Sequence, residues 1–128
     1  MILIKSMETF IWGRSFTLPV EYCCYKGETV TDKQIAAIDA FPTHMDWVEK
    51  AKNMVEAYCK EQVMEDEENT KKDNIFSYVK PMCLYITREE NHPRIALMCK
   101  YRYDPEHGLA VVFSHDGHVD IGAQDIVL

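Results

Sequence analysis

His107, His115, Asp116, His118 and Asp120 cluster near the C-terminus and carry imidazole and carboxylate, the groups that zinc and other divalent ions favour as ligands. A two-residue turn at Asp116-Gly117 pairs His115 with His118, Phe113 with Asp120 and Val112 with Ile121, placing both imidazoles on one face of a hairpin. His115, His118 and Asp120 are then the candidate metal ligands. A metal-binding or metal-assisted hydrolytic module centred on His107, His115 and His118 is one functional reading. An exposed hairpin tip explains the same residues without an ion, because polar side chains belong where water reaches them, and spacing fixes no third ligand.

Asp104, Glu106 and His107 offer a second chemistry, since one loop holds two carboxylates and a group that titrates near neutral pH. The segment Asp104-Pro-Glu-His-Gly108 is equally turn chemistry. Asp104 can accept backbone N–H bonds, Pro105 presets φ, and Gly108 can take the left-handed conformation that closes the bend. The preferred reading is the backbone one. Cys23-Cys24 is a vicinal pair with no cation or base nearby in the sequence to favour a thiolate, and is read as core packing. No dinucleotide-binding, P-loop, nucleophile-elbow or zinc-protease motif is present, and no organic cofactor is expected.

The elements that position these residues follow from pattern. Between Glu8 and Tyr25 aromatic and β-branched residues predict two strands, broken at Gly13-Arg14, with Pro19 marking an edge or bulge. Thr31-Asp-Lys-Gln34 is a capping box, flanked by Val30 and Ile35 as a hydrophobic staple, and opens a helix over 32–40. Phe41-Pro42 should interrupt it, because the residue before proline is driven out of the helical region; Thr43 then caps a second helix. Trp47, Val48, Ala51, Met54, Val55, Tyr58, Cys59 and Gln62 recur at helical spacing, predicting an amphipathic helix of about five turns that covers a sheet. Residues 65–74, charged and without an apolar anchor, read as a solvated linker.

Beyond it, strands at roughly 82–88, 94–103, 109–114 and 118–121 predict an antiparallel meander. If Tyr103 lies opposite Leu109, then Ile95, Leu97, Cys99 and Tyr101 share a face with Val111 and Phe113, and the helices pack there; a bulge at Gly108 would reverse this. The fold class expected is α+β: a mostly antiparallel sheet of five to six strands, two of them N-terminal and the rest a C-terminal meander, packed on two consecutive helices. A single domain over 1–128 is expected from the length.

A net charge of −7 disfavours sequence-independent nucleic-acid or anionic-lipid binding and suits a basic protein partner. The N-terminal eight residues lack the basic and apolar regions of a secretory signal, and five cysteines without a C-x-x-C pair fit a reducing compartment, so a cytoplasmic protein without membrane association is expected.

Tyr101-Arg-Tyr-Asp-Pro-Glu-His-Gly-Leu109, followed by Asp116-Gly117 and Gly122-Ala-Gln-Asp-Ile-Val127, resembles the C-terminal signature of a family of small bacterial proteins of unknown function: an aromatic residue, D-x-E-H-G-L, a short hairpin and a closing G-x-Q-D. Tyr103 stands where that family usually has tryptophan. The resemblance implies Asp104, Glu106, His107, Gly108, Gln124 and Asp125 as the shared positions and brings no catalytic role with them. Such families often look like immunity or accessory proteins of toxin systems, so the expectation is a non-enzymatic, immunity-like binding module, with Asp104, Glu106, His107, Gln124 and Asp125 as its candidate binding residues.

Overall fold

A computed structural model describes residues 5–24, 27–62, 75–89 and 91–127. Strands β1 (Ser6–Ile11) and β2 (Arg14–Tyr22) form a hairpin, followed by helix α1 (Asp32–Ala40), a 3-10 turn at Phe41–His44 and helix α2 (Met45–Gln62). A second 3-10 turn (Ile75–Ser77) leads into β3 (Val79–Ile86), β4 (Ile95–Tyr101), β5 (Leu109–Phe113) and β6 (Val119–Gly122), with a last 3-10 turn at Gln124–Ile126. The six strands lie side by side in chain order. The charged stretch 65–74 falls outside the described residues.

The expected fold class needs correcting. The sheet is mixed, because β2 runs parallel to β3 through Val20↔Leu84, Glu21↔Tyr85 and Tyr22↔Ile86. Parallel neighbours require a long crossover, and here the connection carries the helices between the two strands. Nor do two comparable helices pack on the sheet: α1 has nine residues, and only α2, with 18, is long. The α-helix stops at Ala40 as expected, but Pro42 does not drive the residue before it out of the helical region. Phe41 keeps helical angles (φ −57°, ψ −40°), and proline sits at the start of a 3-10 turn, where its missing N–H is not required. Thr43 does not cap α2; its hydroxyl donates back to the Ala40 carbonyl at 2.6 Å. Pro19 lies just before the stretch of β2 that meets β3, so no parallel ladder bond is lost to it.

Thr31 does cap α1. Its hydroxyl accepts from the Gln34 backbone N–H at 3.1 Å, and the Gln34 side-chain Oε1 accepts from the Thr31 N–H at 2.9 Å. Gln34 is fully buried, and its side-chain amide donates to the carbonyls of Cys23 (3.0 Å), Ile86 (3.3 Å) and Thr87 (3.2 Å). One glutamine therefore starts the helix and closes the ends of the parallel pair.

The main core lies between the helices and one sheet face. Val48, Ala51, Val55 and Cys59 of α2, with Ile38 and Phe41, meet Ile11, Leu18, Leu84, Leu97, Tyr101, Val111 and Phe113. Alternation puts Ala96, Met98, Ala110 and Val112 in a smaller cluster on the opposite face, with Cys83, Tyr85 and Val127 against it. Leu109 faces Cys99 rather than Tyr103, with Leu97↔Val111 and Ile95↔Phe113, so the register moves while the helix-facing side stays as expected.

The tight two-residue hairpin is at Trp12-Gly13, where both residues have positive φ (+49° and +87°) and Ile11 pairs with Arg14. Such a turn demands φ > 0 at both centres, and Asp116 does not supply it. The β5–β6 loop instead takes three residues, closed by Ser114 N–H to the His118 carbonyl and Gly117 N–H to the Ser114 carbonyl, both at 2.9 Å. Phe113 therefore pairs with Val119 and Val112 with Asp120, one residue off the expected register.

Candidate functional site

The bend after β4 is held by its own side chains. Gly108 N–H donates to the Asp104 carbonyl at 2.8 Å, and the Asp104 carboxylate accepts from the His107 N–H at 3.3 Å and meets the His107 Nδ1 at 3.1 Å. Gly108 has φ +65°, as the bend requires. The C-terminal segment docks on it: Gln124 N–H donates to the His107 carbonyl at 3.1 Å, and the Gln124 side-chain amide donates to the Cys99 carbonyl at 3.0 Å.

Asp104, His107, Gly108 and Gln124 thus form one interlocked corner. Glu106 and Asp125 are carried on its rim, exposed. Tyr58 of α2 lies near enough that Asp104 and Asp125 help raise its pKa, after burial and Cys59. The candidate binding residues Asp104, Glu106, His107, Gln124 and Asp125 are therefore neighbours although two segments of chain supply them. Among the described residues no hydroxyl or thiol bonds to the His107 ring, whose bonds go to Asp104.

That contact has a measurable consequence. The Asp104 carboxylate, first through its bond to Nδ1 and then through its charge, raises the His107 pKa above the ordinary histidine value, with smaller help from Glu106 and Asp125. A raised folded-state pKa means that the contribution to stability is complete below the unfolded value of about 6.5 and is lost as pH rises through the folded one. In a proton NMR titration the His107 ring should titrate above the unfolded value, and Asp104→Asn should bring it back down. An unchanged midpoint in that variant removes the pair.

The metal candidates do not converge. His115 stacks on His92, with centroids 3.8 Å apart and rings 13° from parallel, whereas His118 Nε2 meets Asp120 Oδ1 at 3.2 Å. The one-residue change of register removes the expected His115–His118 pairing, leaving His118 opposite Ser114. Asp116 accepts from the His118 N–H at 3.1 Å, which holds its carboxyl below the usual range. His107 sits at the other end of β5, roughly 20 Å away at about 3.3 Å per residue. Among the described residues no group of three or more His, Cys, Asp or Glu side chains is placed to hold a metal ion.

Further side chains lie near these sites, of which His92, Glu89 and Arg94 carried no signal of their own in the sequence. His92, with Glu89 and Arg94 ion-paired at 2.6 Å, lines a cleft of about 480 Å³ beside His115 and His118. Cys24 is exposed, with the Arg88 guanidinium 3.5 Å from its sulfur, so the core reading of this thiol is corrected by a cation from a distant strand end. Cys59 and Cys99 are buried, and burial raises both thiols, Cys59 to about 11, leaving them as packing groups. Tyr58, Tyr101, Tyr103 and Tyr78 form a chain of ring contacts 5.7–6.4 Å apart. Trp47, three turns away on α2, stacks on His44 at 3.8 Å.

Residues 6–128 match the family described as a domain of unknown function, DUF6985. The chain belongs to this family. No curated protein and no solved structure matches it. The DUF6985 match spans both segments of the corner, and its description carries no activity. Among the described residues no helix is long and apolar enough to cross a membrane.

Proposed function

We propose that this DUF6985 member is a binding module that meets a basic protein partner at the acidic corner. The observation that carries the reading is the 3.1 Å bond from Gln124 N–H to the His107 carbonyl, which zips Asp125 onto the segment that holds Asp104 and Glu106. Carboxylates from two segments then share one rim beside Tyr58 and Tyr103; tyrosine is a residue that protein interfaces favour, and their rims are polar. The net charge of −7 adds long-range attraction for a cationic partner. An immunity-like role, in which that partner is a toxin, is the form suggested by the signature alone.

Glu106 and Asp125 are the residues to reverse, because both are exposed and neither shapes the bend. Glu106→Lys/Asp125→Lys should leave the thermal midpoint within a few degrees of wild type. It should weaken a basic partner captured at low salt from the native cell extract by roughly tenfold or more. Equal retention by the double variant, or capture that survives high salt unchanged, would falsify the reading.

A further inference from the structure

In this acidic chain, one concavity is cationic. Ser77, Tyr78, Lys80, Lys100, Tyr101, Arg102 and Pro105 line a cavity of about 510 Å³ where β3 begins and β4 ends. Lys80 and Lys100 stand directly opposite each other across the two strands. Like charges in cross-strand register destabilise a sheet. Among the described residues no carboxylate pairs with either ammonium. Arg102 follows two residues after Lys100 and stays in register by donating its N–H to the Tyr78 carbonyl at 2.8 Å; its guanidinium rests 5.8 Å from the centre of the Tyr103 ring. Immediately beyond Pro81 the β3–β4 register shifts and Met82 is left without a partner, a bulge of the kind that concentrates beside binding sites.

We propose that this cavity binds a small phosphorylated organic molecule. A phosphate monoester carries about −1.5 to −2 charge and three strong acceptor oxygens, enough to engage the two opposed ammonium groups together. The volume lies within the usual range of roughly 300–1,000 Å³ for small-ligand sites and exceeds what the phosphate alone needs. Exposed Pro105 gives an apolar wall for the body attached to that phosphate, while Tyr78 and Tyr101, 3% and 2% exposed, only back the cavity. The ligand also explains why the sheet keeps two lysines opposed, since a bound dianion turns the repulsion into a clamp. The inference goes beyond the basic-partner reading and involves neither Glu106 nor Asp125.

Calorimetric titration of the full chain at low salt with AMP, adenosine and hexaglutamate tests it. AMP should bind saturably with one site per chain, and adenosine should bind at least roughly tenfold more weakly. Lys80→Ala/Lys100→Ala should weaken AMP by a similar factor, while Lys33→Ala/Lys50→Ala, which removes two lysines from the helices, should leave it unchanged. Lys100→Glu keeps the proposal testable on a folded protein: exchanging a like-charge pair for an opposite one should raise the thermal midpoint while AMP binding is lost. Adenosine binding as tightly as AMP, undiminished binding by the Lys80/Lys100 double variant, or no AMP binding at millimolar concentration would each overturn the proposal. Hexaglutamate binding as tightly as AMP would overturn it too and assign the surface to acidic peptides.

Discussion

Gly108→Ala is expected to destabilise the fold by about 4 kcal/mol, lowering the thermal midpoint by roughly 15 °C for a chain of this size. Separate costs combine. A residue with a Cβ is held at φ +65°, which costs roughly 1–2 kcal/mol. An added Cβ would lie 2.6 Å from Gln124 Nε2, 2.8 Å from its Cδ and 2.9 Å from the Cys99 carbonyl oxygen, and the last of these is backbone that cannot swing aside. Moving the Gln124 side chain away breaks its bond to Cys99 and leaves a carbonyl short of a partner, about 1 kcal/mol more. Two further variants separate the contributions in thermal and urea unfolding. Asparagine tolerates a left-handed φ but still carries a Cβ, so Gly108→Asn should recover only part of the loss. In a Gln124→Ala background Gly108→Ala should cost about 2 kcal/mol less, because the nearest atoms are gone. A cost below about 1 kcal/mol for the single variant would show that the corner gives way, and the structural account of the signature would fail with it.

How far sequence reasoning reached is clearest at this corner. Asp104, Pro105 and Gly108 announced a bend through residue types whose backbone preferences are local, and the bend is there. Nothing local indicated that Gln124 would reach the Cys99 carbonyl, a contact spanning 25 positions. The resemblance placed Gln124 beside the bend residues as a shared position and a candidate binding residue, with nothing to say that it would brace the bend.

The same division runs through the fold. The α1 capping box was legible because its partners lie three residues apart. The parallel β2–β3 pairing was not, because strand direction across a long crossover leaves no mark on either strand. At the β5–β6 turn the Asp-Gly pair correctly located the reversal but not its length. One residue of slip moved Asp120 to the face opposite Val111 and Phe113, and with it went the shared histidine site. The separation of His107 from His115 was available from the start, since any strand running between them must hold the two apart.

Gln34→Leu should cost about 3 kcal/mol, although it keeps the volume of a fully buried side chain. Leucine fills the space, so no cavity term enters; the loss is polar. The Cys23 and Thr87 carbonyls lose an amide donor, whereas the Ile86 carbonyl still accepts the Cys23 N–H at 2.9 Å and is only half deprived. Buried groups left short of a partner cost about 1–3 kcal/mol, and losing the reciprocal half of the capping box adds up to about 1 kcal/mol. The damage should be local before it is global: amide exchange should quicken first at Tyr22, Cys23 and Thr87, where the parallel strands end, and only later in β4 and β5. Gln34→Glu distinguishes hydrogen bonding from shape, because an ionised carboxylate has no proton to offer the three carbonyls and is repelled by them. Its pKa must rise in the folded state, so this variant should be most stable below the unfolded carboxyl value of about 4.3 and lose stability as pH rises from there. A stability for Gln34→Leu equal to wild type, with uniform exchange along the sheet, would mean that the strand ends are held by their ladder alone and that the glutamine is only a cap.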